Sequence, residues 1–209
     1  MHKDWEKVKE VLGKGRVAVV PTDTLYGIVA KAFDQKAVER IYDIKGRNEK
    51  KPLIVLISSF EDLKKFGIKL SIDEKKILES FWPGKVSVIL RIGQTYAKKF
   101  QYLHRGTNSI AFRMIGERNK NLFNILKVVG PLVAPSANPE GKTPAHSRKS
   151  ARAYFGKAID AYVCTGNRFA KPSTLVTFEK DKIKILRQGS VKISPTTSPY
   201  GHSSSGRRR

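Results

Sequence analysis

The sequence predicts an α/β fold built on one mixed sheet with flanking helices, and three observations predict it. Short, branched apolar runs recur along the chain: RVAVV at 16–20, PLIVLI at 52–57, KVSVIL at 85–90 and SIAFRM at 109–114. Each is the length of a strand rather than of a helix. Between them lie stretches with apolar residues three and four apart, which is helical spacing. Successive strand signals are joined by tight turns in some places and by whole helices in others. That mixture asks for parallel and antiparallel neighbours in one sheet rather than a purely doubly wound fold.

Taken in order, Trp5, Val8 and Leu12 share one face of a helix over 4–12. RVAVV reads as a buried strand ending at Pro21, with Thr22, Asp23 and Thr24 as the polar turn after it. Val38, Ile41 and Tyr42 mark a helix that starts after Asp34 and stops at Lys45-Gly46. PLIVLI is the next strand. Ser71-Ile72-Asp73-Glu74 has the form of a capping box opening a helix that runs to about Phe81. Trp82-Pro83-Gly84 then turns the chain into KVSVIL. In SIAFRM, Ile110, Phe112 and Met114 face one way and Ser109, Ala111 and Arg113 the other. Leu122, Ile125 and Leu126 mark another helix. The segment 130–146, GPLVAPSANPEGKTPAH, is a short strand running into a polar loop rich in proline and glycine. A helix through 151–155 and strands near 158–163, 174–178 and 182–186 complete the series. No internal repeat is found. Residues 194–209 hold five serines, two prolines and three arginines with little to bury, so they read as a disordered basic tail behind a folded domain over 1–193.

Charge narrows the partner. Of 209 residues, 41 are Lys or Arg against 18 Asp or Glu, a formal net charge of +23. Such an excess draws polyanions and speeds their association, which favours nucleic acid or a nucleotide over a merely lysine-rich surface. One cysteine, Cys164, excludes an internal disulfide framework, and no His/Cys spacing suits zinc. Cys164 itself reads as a half-buried strand residue, since nothing near it in sequence would lower a thiol pKa. The apolar runs fall far short of the ~20 residues that cross a bilayer. The N-terminus, MHKDWEKVKE, lacks the continuous apolar core of a signal peptide. A soluble, cytoplasmic protein with no membrane partner is expected.

The common chemical motifs are absent: no GxGxxG, no GxxxxGK[ST], no GxSxG and no HExxH. What remains is a set of polar clusters at strand ends, where open α/β sheets bind ligands. Thr22-Asp23-Thr24, read alone, is turn chemistry. Lys45, Arg47 and Lys51 form a cationic group before PLIVLI that suits a triphosphate or a nucleic-acid backbone, and it reads equally as a solvated basic turn. Arg113, inside an alternating strand, needs an anion or a carboxylate, because a buried guanidinium without one is costly. Pro135-Ser136-Ala137-Asn138 follows an apolar strand. Small side chains there admit a ligand to the backbone, and Ser136 and Asn138 supply hydrogen bonds. Ser173 opens one late strand and Arg187 closes the next.

In order and spacing, PTDTLYGI (21–28), KGRNEKKPLIVLI (45–57), WPGKVSVIL (82–90), SIAFRM, APSANPEGK (134–142), PSTLV (172–176) and ILRQG (185–189) resemble the YrdC-like threonylcarbamoyl-AMP synthases. The resemblance runs from about residue 5 to residue 191 and implies the short single-domain form, a twisted α/β sheet with a basic concave surface. It implies a nucleotidyltransferase that makes L-threonylcarbamoyladenylate and pyrophosphate from L-threonine, bicarbonate and ATP. A threonylcarbamoyl-transferase complex would then use the product to form N6-threonylcarbamoyladenosine in tRNA. Position by position, it implies that Thr24, Arg113, Ala134 and Ser173 bind L-threonine. Arg47, Lys51, Ser109, Ser136, Asn138 and Arg187 would bind the nucleotide. Lys45, Arg47 and Arg113 would position charge, and Lys45, Arg47 and Lys51 are the candidate RNA contacts. No side-chain nucleophile is required: the threonine amine attacks carbon, and the carbamate oxygen then attacks the α-phosphorus. Positioning and charge stabilisation would carry the rate. Mg²⁺ would arrive on the phosphates, with no metal site in the protein.

Four departures accompany the resemblance. Lys51 stands where many relatives have asparagine, Leu56 where many have histidine, and PST where many read EST. The loop after Gly141 lacks the usual PSPT, so Thr143 and Pro144 receive no assigned contact. A rival reading is a structured-RNA-binding module without chemistry. A stacking platform of that kind would display aromatics on an exposed sheet face, whereas SIAFRM offers Ser109, Ala111 and Arg113 there. A third reading, a carbamoyl-transferring maturation domain, would use a related pocket inside a much longer chain.

Overall fold

A computed structural model describes residues 3–179 and 182–193; the tail expected over 194–209 lies outside the described residues. In chain order the strands are β1 (Ala18–Pro21), β2 (Tyr26–Lys31), β3 (Ile54–Ile57), β4 (Val86–Arg91), β5 (Ser109–Met114), β6 (Leu132–Val133), β7 (Ala161–Tyr162), β8 (Thr174–Glu179) and β9 (Lys182–Arg187). The helices are α1 (Lys3–Gly13), α2 (Gln35–Lys45), α3 (Glu61–Lys64), α4 (Ile72–Glu79), α5 (Gln94–Ala97), α6 (Gln101–His104), α7 (Lys120–Val129) and α8 (Arg148–Phe155). The strands join in one sheet, ordered β7-β1-β2-β6-β3-β5-β4-β8-β9. Three neighbouring pairs are parallel (β1 with β7, β3 with β5, β4 with β8) and the other five are antiparallel. The sheet is mixed, as the spacing of the strand signals requires.

Local chemistry sets the helix ends. The Asp34 carboxylate accepts from the Ala37 amide to start α2, and Gly46 ends it at φ 55, a left-handed position that glycine takes without steric cost. Ser71 and Glu74 cap α4 reciprocally, as expected, though the helix stops at Glu79 rather than near Phe81. Ser147 and Ser150 form a second box at α8. One strand was not foreseen: β2 is buried on both faces, so its YGIVAK carries no alternation to read.

Two cores lie on the two faces of the sheet. Ile110, Phe112 and Met114 of β5 point into the larger one with Phe66 and Phe100. On the other face α1 and α7 cover β1, β2, β6 and part of β3 through Trp5, Leu12, Leu122 and Leu126. Beyond Leu56 that face opens. Cross-strand register places Ala111, Ile89, Leu175 and Thr177 along it, all half-exposed. The same register brings Arg187, Lys184 and Lys182 of the edge strand β9 opposite Leu175, Thr177 and Glu179. Cys164 departs from expectation: it lies just beyond β7, outside any strand, and is exposed.

Candidate active site

Where the covered half of the sheet meets the open half, a cavity of about 730 Å³ takes its walls from seven separate stretches of the chain, five of them carrying sequence-predicted residues. Thr24 comes from the turn that links β1 to β2, Arg113 from β5, and Ala134 and Ser136 from the chain leaving β6. Ser173 stands just before β8, and Arg187 ends β9. These six sequence-predicted residues are brought together although they span more than 160 positions.

The β1–β2 turn is held from within. Thr22 Oγ1 donates to the Leu25 carbonyl at 2.7 Å and lies 3.2 Å from Thr24 Oγ1. Gly27 sits where the chain crosses closely: a Cβ there would meet Thr22 Cγ2 at 3.2 Å and the Pro135 carbonyl at 3.3 Å. Ser173 is buried with its hydroxyl 2.9 Å from Ser87 Oγ, and its carbonyl accepts from Arg187 Nη2 at 3.0 Å. The hydroxyl of Ser136 donates to Asn138 Oδ1 at 2.6 Å, while the Asn138 amide donates to the Pro139 and Lys142 carbonyls. Asn138 thus acts on the cavity by holding the loop that presents Ser136.

Arg113 is 4 % exposed. Its Nη2 lies 3.1 Å from Asp23 Oδ1, an ion pair whose angles do not make a hydrogen bond, and reaches Thr22 Oγ1 only at 3.5 Å. Nε of Arg113 and both carboxylate oxygens of Asp23 are buried without a hydrogen-bond partner. Burial raises the Asp23 carboxyl above its ordinary value, with Arg113 pulling the other way. Burial likewise lowers both Arg113 and Arg187. Two cations at one wall of a cavity, one with an idle buried donor, favour an anion.

The remaining predicted residues lie elsewhere. Lys45 is not a surface cation. It is 2 % exposed, and its ammonium donates to the carbonyls of Ser136 and Asn138. Burial first, then the charge of Arg47, lowers it to about 8. Its reach as an RNA contact is therefore replaced by a brace under the Ser136 loop. Arg47 donates to the Lys51 and Pro52 carbonyls, and Lys51 pairs with Glu140, which also accepts from the Asn48 amide. This turn abuts the loop after Ser136 but does not line the cavity. Ser109 sits at the far end of β5, about 13 Å along the strand from Arg113, on the open sheet face.

Sequence reasoning passed over four residues. Asp23 was seen only as a turn, and Arg168, His146 and Phe169 carried no motif. Yet Arg168 lines the cavity, donates from its amide to the His146 carbonyl at 2.7 Å and from Nη1 to the Thr22 carbonyl at 3.1 Å. A single arginine in the polar stretch before PST was the available signal. No group of three or more His, Cys, Asp or Glu among the described residues could hold a metal ion. No helix among them is long and apolar enough to cross a membrane.

Comparison with known proteins matches this arrangement to a family. The Sua5/YciO/YrdC model, described as telomere recombination, matches residues 10–189. A putative threonylcarbamoyl-AMP synthase of Methanocaldococcus jannaschii is 32 % identical over 201 residues, which cover 92 % of this chain and 90 % of that protein. The threonylcarbamoyl-AMP synthase of Pyrococcus abyssi is 29 % identical over 205 residues, 95 % of this chain but 58 % of that one. The solved structure of P. abyssi Sua5 complexed with L-threonine superposes with a TM-score of 0.79 at 27 % identity, over 88 % of this chain and 54 % of the other. This chain therefore spans little more than half of the Pyrococcus protein. Escherichia coli YciO also gives a TM-score of 0.79, at 20 % identity over 93 % of each chain, a likeness of fold.

Proposed function

Because the chain belongs to the Sua5/YciO/YrdC family, we propose that it is an L-threonylcarbamoyladenylate synthase, a nucleotidyltransferase acting on L-threonine, bicarbonate and ATP. The observation that carries the reading is Arg113: a buried guanidinium with an unpartnered Nε, on the wall of a cavity assembled from seven stretches of the chain. An unsatisfied buried donor costs about 1–3 kcal/mol, which a substrate carboxylate would relieve.

In this reading Arg113 holds the threonine carboxylate, with Thr24, Ala134 and Ser173 around the rest of the amino acid. Arg187 and Ser136 meet the nucleotide, and Lys45 and Asn138 keep the Ser136 loop in place for it. The threonine amine attacks the bicarbonate carbon, releasing water and leaving a carbamate. A carbamate oxygen then attacks the α-phosphorus, and pyrophosphate departs. Both steps concentrate negative charge, so fixed cations and a walled cavity favour them without a side-chain nucleophile. Mg²⁺ would enter on the ATP phosphates as part of the substrate, since the described residues group no carboxylate cage for it. We further infer that the product passes to a tRNA-modifying partner, and that the protein works in the cytoplasm.

The test incubates the protein with ATP, Mg²⁺, bicarbonate and L-threonine and follows pyrophosphate. Release that requires both threonine and bicarbonate, with the adenylate detected by mass spectrometry, is expected. ATP bound without threonine-dependent release would overturn the assignment.

A further inference from the structure

Arg113 and Arg187 account for the cationic part of the cavity lining. Another part of the lining is aromatic, and nothing in the reaction as described uses it. Phe169 is 80 % exposed, the most exposed of the large apolar side chains among the described residues. Leaving so much apolar surface in water is unfavourable. Its ring is nonetheless ordered against another: the centroids of Phe169 and His146 lie 4.8 Å apart with 19° between planes. Both rings line the cavity. A parallel pair occupies one face of each ring, so the outer face of Phe169 stays open.

The backbone leading into Phe169 is tied down. Tyr26 Oη donates to the Gly166 carbonyl at 2.9 Å, and the Arg168 amide donates to the His146 carbonyl at 2.7 Å. Arg168 Nη1 fastens the same segment to the Thr22 carbonyl at 3.1 Å. An exposed, already stacked ring lining a cavity that also carries Arg113 and Arg187 suits a ligand with one flat face and one anionic end.

We propose that the His146–Phe169 stack is the platform for the purine base of the nucleotide. This rests on the proposed use of ATP and adds the element that would tell a nucleoside triphosphate from bare polyphosphate. Base–aromatic stacking tolerates many bases, so the platform supplies affinity for a planar base while hydrogen bonds elsewhere choose among bases.

The test titrates wild type, Phe169→Ala, Phe169→Trp and Ser109→Ala with ATP, with inorganic tripolyphosphate and with L-threonine by calorimetry. Phe169→Ala is expected to weaken ATP about tenfold while tripolyphosphate and threonine stay at wild-type affinity. Phe169→Trp keeps ATP affinity, and the emission of the new indole falls with ATP but not with tripolyphosphate. Because the ring is exposed, circular dichroism melts of the variants are expected to match wild type. Wild-type ATP affinity in Phe169→Ala overturns the inference alone. The same result with a loss in Ser109→Ala moves the base to the open sheet face. Quenching by a single-stranded RNA oligonucleotide but not by ATP also overturns it. A wild-type protein that binds no ATP brings down the nucleotide reading as a whole.

Discussion

The guanidinium of Arg113 and the carboxylate of Asp23 depend on each other, because each is a charge withdrawn from water with few other partners. Removing one partner of a buried pair strands the other at a cost of about 3–5 kcal/mol. Arg113→Ala is therefore expected to lose threonine-dependent pyrophosphate release and also several kcal/mol of stability in urea titrations. The double variant Asp23→Asn/Arg113→Met is expected to regain much of that stability and none of the threonine binding, which separates the two roles. An Arg113→Ala variant as stable as wild type would contradict the pairing. Lys45 offers a second test. Its ammonium is held to about 8, below the ordinary lysine value of 10.5, chiefly by burial. Between those pH values the unfolded chain binds a proton that the folded chain has given up, so the contribution of Lys45 to stability rises with pH. The difference in unfolding free energy between wild type and Lys45→Met is expected to move in favour of wild type from pH 8 to pH 10. A difference that stays flat would contradict the depressed value. At this scale the sequence was a good guide to anions and a poor one to burial. Arg113 announced itself by sitting in an alternating strand, whereas nothing in KGRNEKK separates a buried Lys45 from an exposed Lys51.

Helices with explicit ends were legible, and short or wholly buried elements were not. The capping box of α4 was visible as Ser71 and Glu74 because capping is written within four residues. Ser71→Ala is expected to cost about 1 kcal/mol and to lower the melting midpoint by about 2–4 °C, with the catalytic rate unchanged. A larger loss would mean that Ser71 does more than cap. By contrast, α3, α5 and α6 have four residues each, too few for a periodic pattern to show. β2 hid for another reason. It lies between β1 and β6 with both faces covered, and Gly27 interrupts its apolar run where two backbones cross. The cavity inherits that limit. Its six foreseen residues stand at the ends of recognisable strands, but the wall with Arg168 and Phe169 belongs to residues 163–173, which form neither helix nor strand.

Across the whole molecule, a net charge of +23 acts on every anionic ligand at once. Raising salt screens exposed charges over about 10 Å at 0.1 M and less at higher concentration. ATP affinity is therefore expected to fall steadily as salt rises from about 50 to 200 mM, while L-threonine, a zwitterion proposed to meet the buried Arg113, is expected to change little. Equal salt dependence for both ligands would place the threonine site on the surface. Composition alone disclosed this field. It did not disclose that the field surrounds a half-open sheet. That depends on α1 and α7 covering one side of β1 to β3 and stopping short of β4, β8 and β9, a matter of packing between distant segments.

The edge strand β9 has a further consequence, for how copies of the protein behave in a crowded solution. An unpaired strand edge is a template on which another chain can add its own strand. Here the outermost ribbon reads KIKILR, with exposed Lys182 and Lys184, and the opposite margin, β7, is only two residues long. A second copy zipping along β9 would press lysine-bearing ribbons together, and along β7 it would find too little ladder to hold. Both margins of a nine-stranded sheet are thereby guarded against fibril-like growth, by charge on one side and by brevity on the other.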